Sequence, residues 1–179
     1  MLNNYIKALY WINQLGGLKE QKWNTFEHNG VIFYPDYEPI NIPVIYNDEE
    51  IILNEEAEEA AIFYAKYLDT EYVKNAKFNK NFWKDFKTLI DKKFNITDFD
   101  KIDFTLLKKF VETAKDNKKI LTKEEKEYLK KKQELEEEKF KIAIIDGKEQ
   151  PVGNFRLEPP GIFLGRGCHP LIGRIKKRI

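Results

Sequence analysis

The sequence predicts an α+β fold in which a β-rich part and a helical part share one chain of 179 residues. Three observations predict it. Between residues 22 and 53, short β-branched and aromatic runs alternate with prolines; from 54 to 115, apolar residues recur at helical spacing; from 142 onward, a period of two returns. Between the last two lies a long polar stretch, too poor in apolar residues to pack deeply, which must protrude or bridge parts of the fold. The expected divisions are an N-terminal helical segment (1–21), a β-rich part (22–53), a helical subdomain (54–115), a protruding basic helix region (116–141) and a β-rich basic segment (142–179).

Element by element, the first 20 residues read as a helix with Tyr5, Leu9, Ile12 and Leu15 near one face, stopped by Gly16-Gly17. Gly30 precedes the strand-like Val31–Tyr34, after which Pro35, Pro39 and Pro43 keep the chain extended. Val44–Tyr46 and Ile51–Leu53 flank Asn47-Asp48-Glu49-Glu50, a four-residue hairpin connection. Asn54 is a helix N-cap, and Glu55, Glu56, Glu58 and Glu59 read as the solvated first turns that a positive helix end favours. Ala57, Ala60, Ala61, Tyr64 and Leu68 share a face. A second helix repeats Phe78, Phe82, Phe86 and Ile90 at steps of four, reinforced by Trp83 and Leu89, and a third carries Leu106, Leu107, Phe110, Val111 and Ala114. These faces can bury one another.

Thr122-Lys123-Glu124-Glu125 is a capping box that opens the long polar helix. Lys130-Lys131-Lys132 and Glu136-Glu137-Glu138 support each other at helical spacing, and no a/d repeat runs for three heptads, which excludes a coiled coil. Beyond it Phe140, Ile142 and Ile144 alternate, Asp146-Gly147 makes a turn, and Val152, Phe155 and Leu157 continue the strand pattern. The last block, EPPGIFLGRGCHPLIGRIKKRI, reads as a rigid basic loop. Its abrupt stop at Ile179 suggests a fragment of a longer protein.

Composition narrows the function classes. With 13 Phe, 9 Tyr and 3 Trp the chain is too aromatic for a disordered tail, and no apolar run is long enough to span a bilayer. The start does not read as a secretory signal. A single cysteine, Cys168, excludes a disulfide framework and a Cys-rich zinc site, and two histidines leave little for a His-based metal centre. A soluble, intracellular, metal-free chain without cofactors is expected. The net charge of +1 hides a gradient: residues 1–99 hold 11 basic against 16 acidic residues, whereas 156–179 hold six against one. That asymmetry fits either a polyanion-binding surface or a solvated basic terminus.

Gly165-Arg166-Gly167 lets the backbone approach a partner closely while Arg166 offers a planar fork to a phosphate or base edge, although the tripeptide alone reads sooner as an ordinary turn. Lys176-Lys177-Arg178 can neutralise phosphates or act as a nuclear-import patch, and Lys118-Lys119 sit between two predicted helices where they can touch a phosphate backbone; either can also be bare surface. Cys168 and His169 are neighbours in an extended segment and point apart, so they do not form a catalytic pair. His28 beside Glu27 reads as a local hydrogen-bonding pair. No P-loop, Ser-His-Asp, HExxH or CxxC arrangement is present, and nothing reads as a self-sufficient active site.

Three stretches, KWNTFEHNGVIFYPDYEPI, NEEAEEAAIFYAKYLDTEYVKN with FNKNFWKDF after it, and VGNFRLEPPGIFLGRGCHPLIGRIKKRI, together resemble the N-terminal DNA-binding part of the core of eukaryotic-type, type IB DNA topoisomerase I. The resemblance runs from about Lys22 to Ile179, and the final block is its most specific part. It implies that the chain is the cap of a DNA clamp, mixed α and β, with two long helices projecting as a basic wedge. Members nick one strand of duplex DNA through a tyrosine, form a 3′-phosphotyrosyl link, allow rotation and reseal without ATP or metal.

The family's catalytic residues lie beyond the end of this chain, so the resemblance implies duplex DNA and the missing catalytic part as partners, no membrane, no small-molecule substrate, and a nuclear location. It matches Arg166 to an arginine near the cleavage site, Lys118 to a basic position on the wedge, Asn154 and Glu158 to positions lining the cleavage site, and Lys176 to a basic position in the lip that closes the clamp. Lys119, Arg156 and Lys177 complete the expected DNA-binding set. Leu164 stands where many members carry an arginine, and Leu171 and Ile172 replace a more basic or Met-containing lip. The rival reading is a non-enzymatic basic module that binds RNA or a protein through the 112–141 helices. Charge reversal at Arg166 and Lys176 separates the two.

Overall fold

A computed structural model describes residues 23–120, 122–167 and 169–178, so the helix predicted over the first 20 residues lies outside the described residues. The fold is α+β. Its chain divides into two compact units, residues 1–32 with 132–155 and residues 33–131 with 156–179.

In the first unit the antiparallel strands β1 (Phe26–Glu27), β5 (Ile142–Ile145) and β6 (Lys148–Pro151) form a sheet of order β1-β5-β6. Ile145 pairs with both Phe26 and Lys148. The expected Asp146-Gly147 turn forms with φ of 49° and 76°, the two left-handed residues that a tight hairpin between twisted strands requires. The Asp146 carboxylate then accepts from the amides of Asn24 and Thr25 at 2.7 and 2.8 Å, tying the start of β1 to the turn. His28 is not paired with Glu27. Its Nδ1 accepts from the Gly30 amide at 3.1 Å and its Nε2 meets the Phe140 carbonyl at 2.9 Å, a long-range link that no local pattern reveals.

In the second unit β2 (Val44–Tyr46) lies between β3 (Glu49–Ile51) and β4 (Ile102–Asp103). The β2–β3 connection is shorter than its sequence suggested: Asn47 and Asp48 both take positive φ, and Glu49 and Glu50 already belong to the strand. An Asn and an Asp tolerate the left-handed region, so two residues suffice. Helices α1 (Glu55–Ala65), α2 (Ala76–Phe86) and α3 (Thr105–Ile120) pack around this sheet. Asn54 caps α1 by accepting from the Ala57 amide at 3.0 Å. Phe78, Phe82 and Phe86, one turn apart along α2, are fully buried; the Tyr64 ring stacks on Phe82 at 4.4 Å and Phe82 on Phe86 at 5.0 Å. Each such burial contributes roughly 2–3 kcal/mol.

Helix α4 (Lys123–Glu138) has no buried residue, as its polar composition requires. Its capping box is formed: the Thr122 amide donates to Glu125 Oε2 at 2.8 Å and the Glu125 amide to Thr122 Oγ1 at 3.2 Å. Two of the four acids assigned to solvated turns of α1 are otherwise engaged. Glu58 is only 1% exposed, and Glu59 holds an arginine described below.

Burial, with a smaller push from Asp100, raises the Tyr64 hydroxyl to about 12. The unfolded chain ionises this phenol near 10, so the folded state is favoured fully below that pH and loses the contribution as pH rises from about 10 to 12. Urea midpoints taken at pH 8, 10 and 11.5 should fall progressively, and Tyr64→Phe should flatten that fall.

Candidate nucleic-acid interface

The last block enters the fold through β7 (Gly161–Ile162) and β8 (Ile175–Lys176), which pair antiparallel, while Ile162 and Ile172 are buried in the core. Backbone bonds from Phe163 N to Arg174 O and from Gly173 N to Phe163 O, each 2.8 Å, close the loop between them. Helix α2 holds that loop from one side. Asn81 Nδ2 donates to the carbonyls of Pro170 and Ile172 at 3.0 and 2.8 Å, and Asp85 Oδ2 accepts from Arg174 Nε at 2.7 Å and from the Ile175 amide at 3.0 Å.

Within the loop, the Phe163 and His169 rings lie 4.8 Å apart, and His169 Nδ1 accepts from the Leu171 amide at 3.1 Å. Gly165 makes this arrangement possible, because a Cβ there would meet His169 Cβ at 2.6 Å and the Phe163 ring at 2.7 Å. Gly167 turns the chain with φ of 59°. Arg166 between them is exposed on a loop fixed at both ends. A guanidinium so placed can meet a phosphate or a base edge.

The three C-terminal cations have separate environments. Lys176 Nζ lies 2.6 Å from Glu158 Oε1, so two of the expected site residues form an ion pair with each other, and an approaching phosphate must compete with Glu158 for Lys176. Lys177 is loosely paired with Glu56 at 3.9 Å. Arg178 serves the fold: its guanidinium bonds the Pro35 carbonyl and Glu59 and stacks over the Tyr34 ring. Beside this arm lies a cleft of about 480 Å³ walled by Asp36, Glu55, Glu56 and Glu59 and by Lys176, Lys177 and Arg178, so that acids and cations nearly balance there.

Arg156 and Glu158 belong to the same unit as Arg166, Lys176 and Lys177, whereas Asn154 belongs to the other, exposed and left-handed at φ 55°. Lys118 and Lys119 fall in the last turn of α3 and not in the connection after it, because the helix continues to Ile120. The sequence reading missed Asn81, Asp85, Glu59 and Tyr34, which seat the basic block. Asn81 and Asp85 are one turn apart on α2, the only available signal. Among the described residues, no group of three or more His, Cys, Asp or Glu side chains is placed to hold a metal ion, and no helix is long and apolar enough to cross a membrane.

Residues 21–179 match the family described as eukaryotic DNA topoisomerase I, DNA binding fragment. The chain is 42% identical over 160 residues to DNA topoisomerase 1 beta of Arabidopsis thaliana, a match covering 89% of this chain and 17% of that protein. It is 48% identical over 164 residues to DNA topoisomerase 1 of Schizosaccharomyces pombe, covering 89% and 20%. With DNA topoisomerase 1 of Caenorhabditis elegans it shares 44% identity over 162 residues, covering 88% and 20%. The chain spans about a fifth of the length of these curated relatives.

Proposed function

The chain belongs to the eukaryotic DNA topoisomerase I DNA-binding fragment family, and from that premise we propose that it is the lobe of a type IB topoisomerase that grips duplex DNA. The supporting observation is the family match across residues 21–179, whose basic end is the block that the core and α2 hold in place. On this reading Arg166 supplies a forked contact, Lys176 and Lys177 add point charges, and Asn154, Arg156, Glu158, Lys118 and Lys119 complete the DNA-facing set. Relaxation of supercoils through a transient 3′-phosphotyrosyl break belongs to the whole enzyme, in the nucleus. The catalytic residues are supplied by the rest of that enzyme, which is this lobe's second partner.

Phosphate contacts then dominate the affinity, making binding tolerant of sequence and sensitive to salt. With about four to six phosphates neutralised, log K against log salt has a slope of about −4 to −5. Half a clamp binds weakly. Fluorescence anisotropy on a labelled duplex of about 25 base pairs, across a salt series, tests this: Arg166→Ala is expected to weaken binding roughly tenfold and to reduce the slope by about one. Duplex binding that survives charge reversal at both Arg166 and Lys176, but is lost on reversing the lysines of α4, would instead favour a module that works through its helices.

A further inference from the structure

Helix α2 buries its phenylalanines and turns the opposite side to solvent. On that outer side stand Lys77, Lys80, Lys84 and, at the C-cap where the backbone is still right-handed helical, Lys87; all four are exposed. At 3.6 residues per turn the four fall within an arc of about 80°, directly opposite Phe78, Phe82 and Phe86, and they span about 15 Å along the axis. The helix has one acid, Asp85, and its carboxylate is occupied by Arg174 and the Ile175 amide. Asn81 flanks the arc on one side; on the other stand Ala76 and the half-buried Trp83, whose ring packs against Phe86 and Phe99. The outcome is a straight cationic row on a chain whose first 99 residues are otherwise net acidic.

We propose that this outer face of α2 is a second track for the phosphate backbone of duplex DNA, separate from the Arg166 loop. The proposal rests on the DNA-binding reading above. Trp83, the aromatic beside the row, is packed against Phe86 and Phe99, so the row offers a protein partner little apolar anchor and unpaired bases no open platform on which to stack. What it does offer matches a duplex strand. A strand climbs about 3.4 Å of helix axis per phosphate while winding around that axis, so a straight 15 Å row can follow it for about two or three phosphates. Through Asn81 and Asp85 the same helix holds the segment that carries Arg166, so both surfaces stand on one rigid piece of the second unit.

The test uses the full 179-residue chain, a labelled 30-base-pair duplex and anisotropy from 50 to 200 mM salt. Changing Lys77, Lys80, Lys84 and Lys87 together to Gln is expected to weaken binding at 50 mM by more than tenfold and to reduce the salt slope by about 2. The matching four-arginine variant should bind like the parent. If the four-Gln variant loses helicity, Lys80→Gln with Lys87→Gln is read instead, with a slope change of about 1. Unchanged duplex binding by the Gln variants, alongside weakening by Arg166→Ala, overturns the track and leaves the DNA reading intact. A parent that ignores the duplex at 50 mM salt overturns both. Loss of binding to polyglutamate with no loss on duplex would assign the row to an acidic protein and also overturn the proposal.

Discussion

Gly173→Ala is expected to destabilise the protein by about 3–6 kcal/mol, a large share of the roughly 5–15 kcal/mol that holds an ordinary domain folded. Two causes add. Gly173 has φ of +87°, a conformation L side chains rarely adopt. Independently, a Cβ there would lie 2.2 Å from the Phe78 carbonyl oxygen and 2.8 Å from Phe78 Cα. Neither obstacle is a flexible side-chain end. Phe78 is fully buried in the first turn of α2, so its backbone can retreat only by opening the core or by releasing the 163–175 loop. Gly147→Ala separates the two causes, because Gly147 also has positive φ (+76°) but open space around its Cβ position. That control should cost only about 1 kcal/mol of backbone strain. Urea unfolding followed by circular dichroism reads both. Equal midpoints for the two variants would sink the close-packing argument. If the alanine variant survives folded, the displaced loop should also present Arg166 poorly, and duplex affinity should fall with stability.

What the sequence discloses depends on the range of the interaction. Local chemistry is legible: Asn54 and the Thr122–Glu125 box cap their helices, Asp146-Gly147 turns its hairpin, and the four-residue recurrence of Phe78, Phe82 and Phe86 marks a buried helix face. The polar stretch 123–138 does stand clear of any core. Long-range pairing is invisible to such patterns. His28 finds a carbonyl 112 residues away, and the acids of α1, alike on paper, divide into exposed ones, one that holds Arg178 and one that is fully buried. The basic terminal block read as a rigid basic loop whose cations could face phosphates or be bare surface. Its cations differ because the elements packed against them differ: Glu158 takes Lys176, Glu59 takes Arg178, and Asp85 takes Arg174. The glycines of the block show the same limit, since the tight contacts at Gly165 and Gly173 depend on His169 and Phe78, whose positions the fold alone sets.

Removing the buried carboxylate of α1 should be nearly as damaging as the glycine change: Glu58→Ala is expected to cost about 3–5 kcal/mol. Glu58 Oε2 accepts from the Tyr37 hydroxyl at 2.7 Å and the Ile40 amide at 3.0 Å, and Oε1 accepts from the Ile42 amide at 3.1 Å. These bonds substitute for water around the carboxylate, and they hold a stretch, 36–43, that has no strand or helix of its own. Truncation leaves three part-buried donors without an acceptor and a cavity beneath them. Graded variants test the accounting. Tyr37→Phe removes one bond and should cost about 1–2 kcal/mol, whereas Glu58→Gln keeps the shape but replaces an acceptor with a donor and should cost about 2–3 kcal/mol. Since Tyr37 and Glu58 share a bond, the double variant should fall short of the sum by about 1 kcal/mol. The damage should also spread along the chain, because Tyr34 and Pro35, just before this stretch, receive the Arg178 guanidinium. Hydrogen exchange should therefore quicken at Ile40 and Ile42 and in the arm at 175–178 together. Faster exchange confined to 36–43, or a loss below about 1 kcal/mol for Glu58→Ala, would show that the arm is held by other means and that the carboxylate is only a tolerated buried charge.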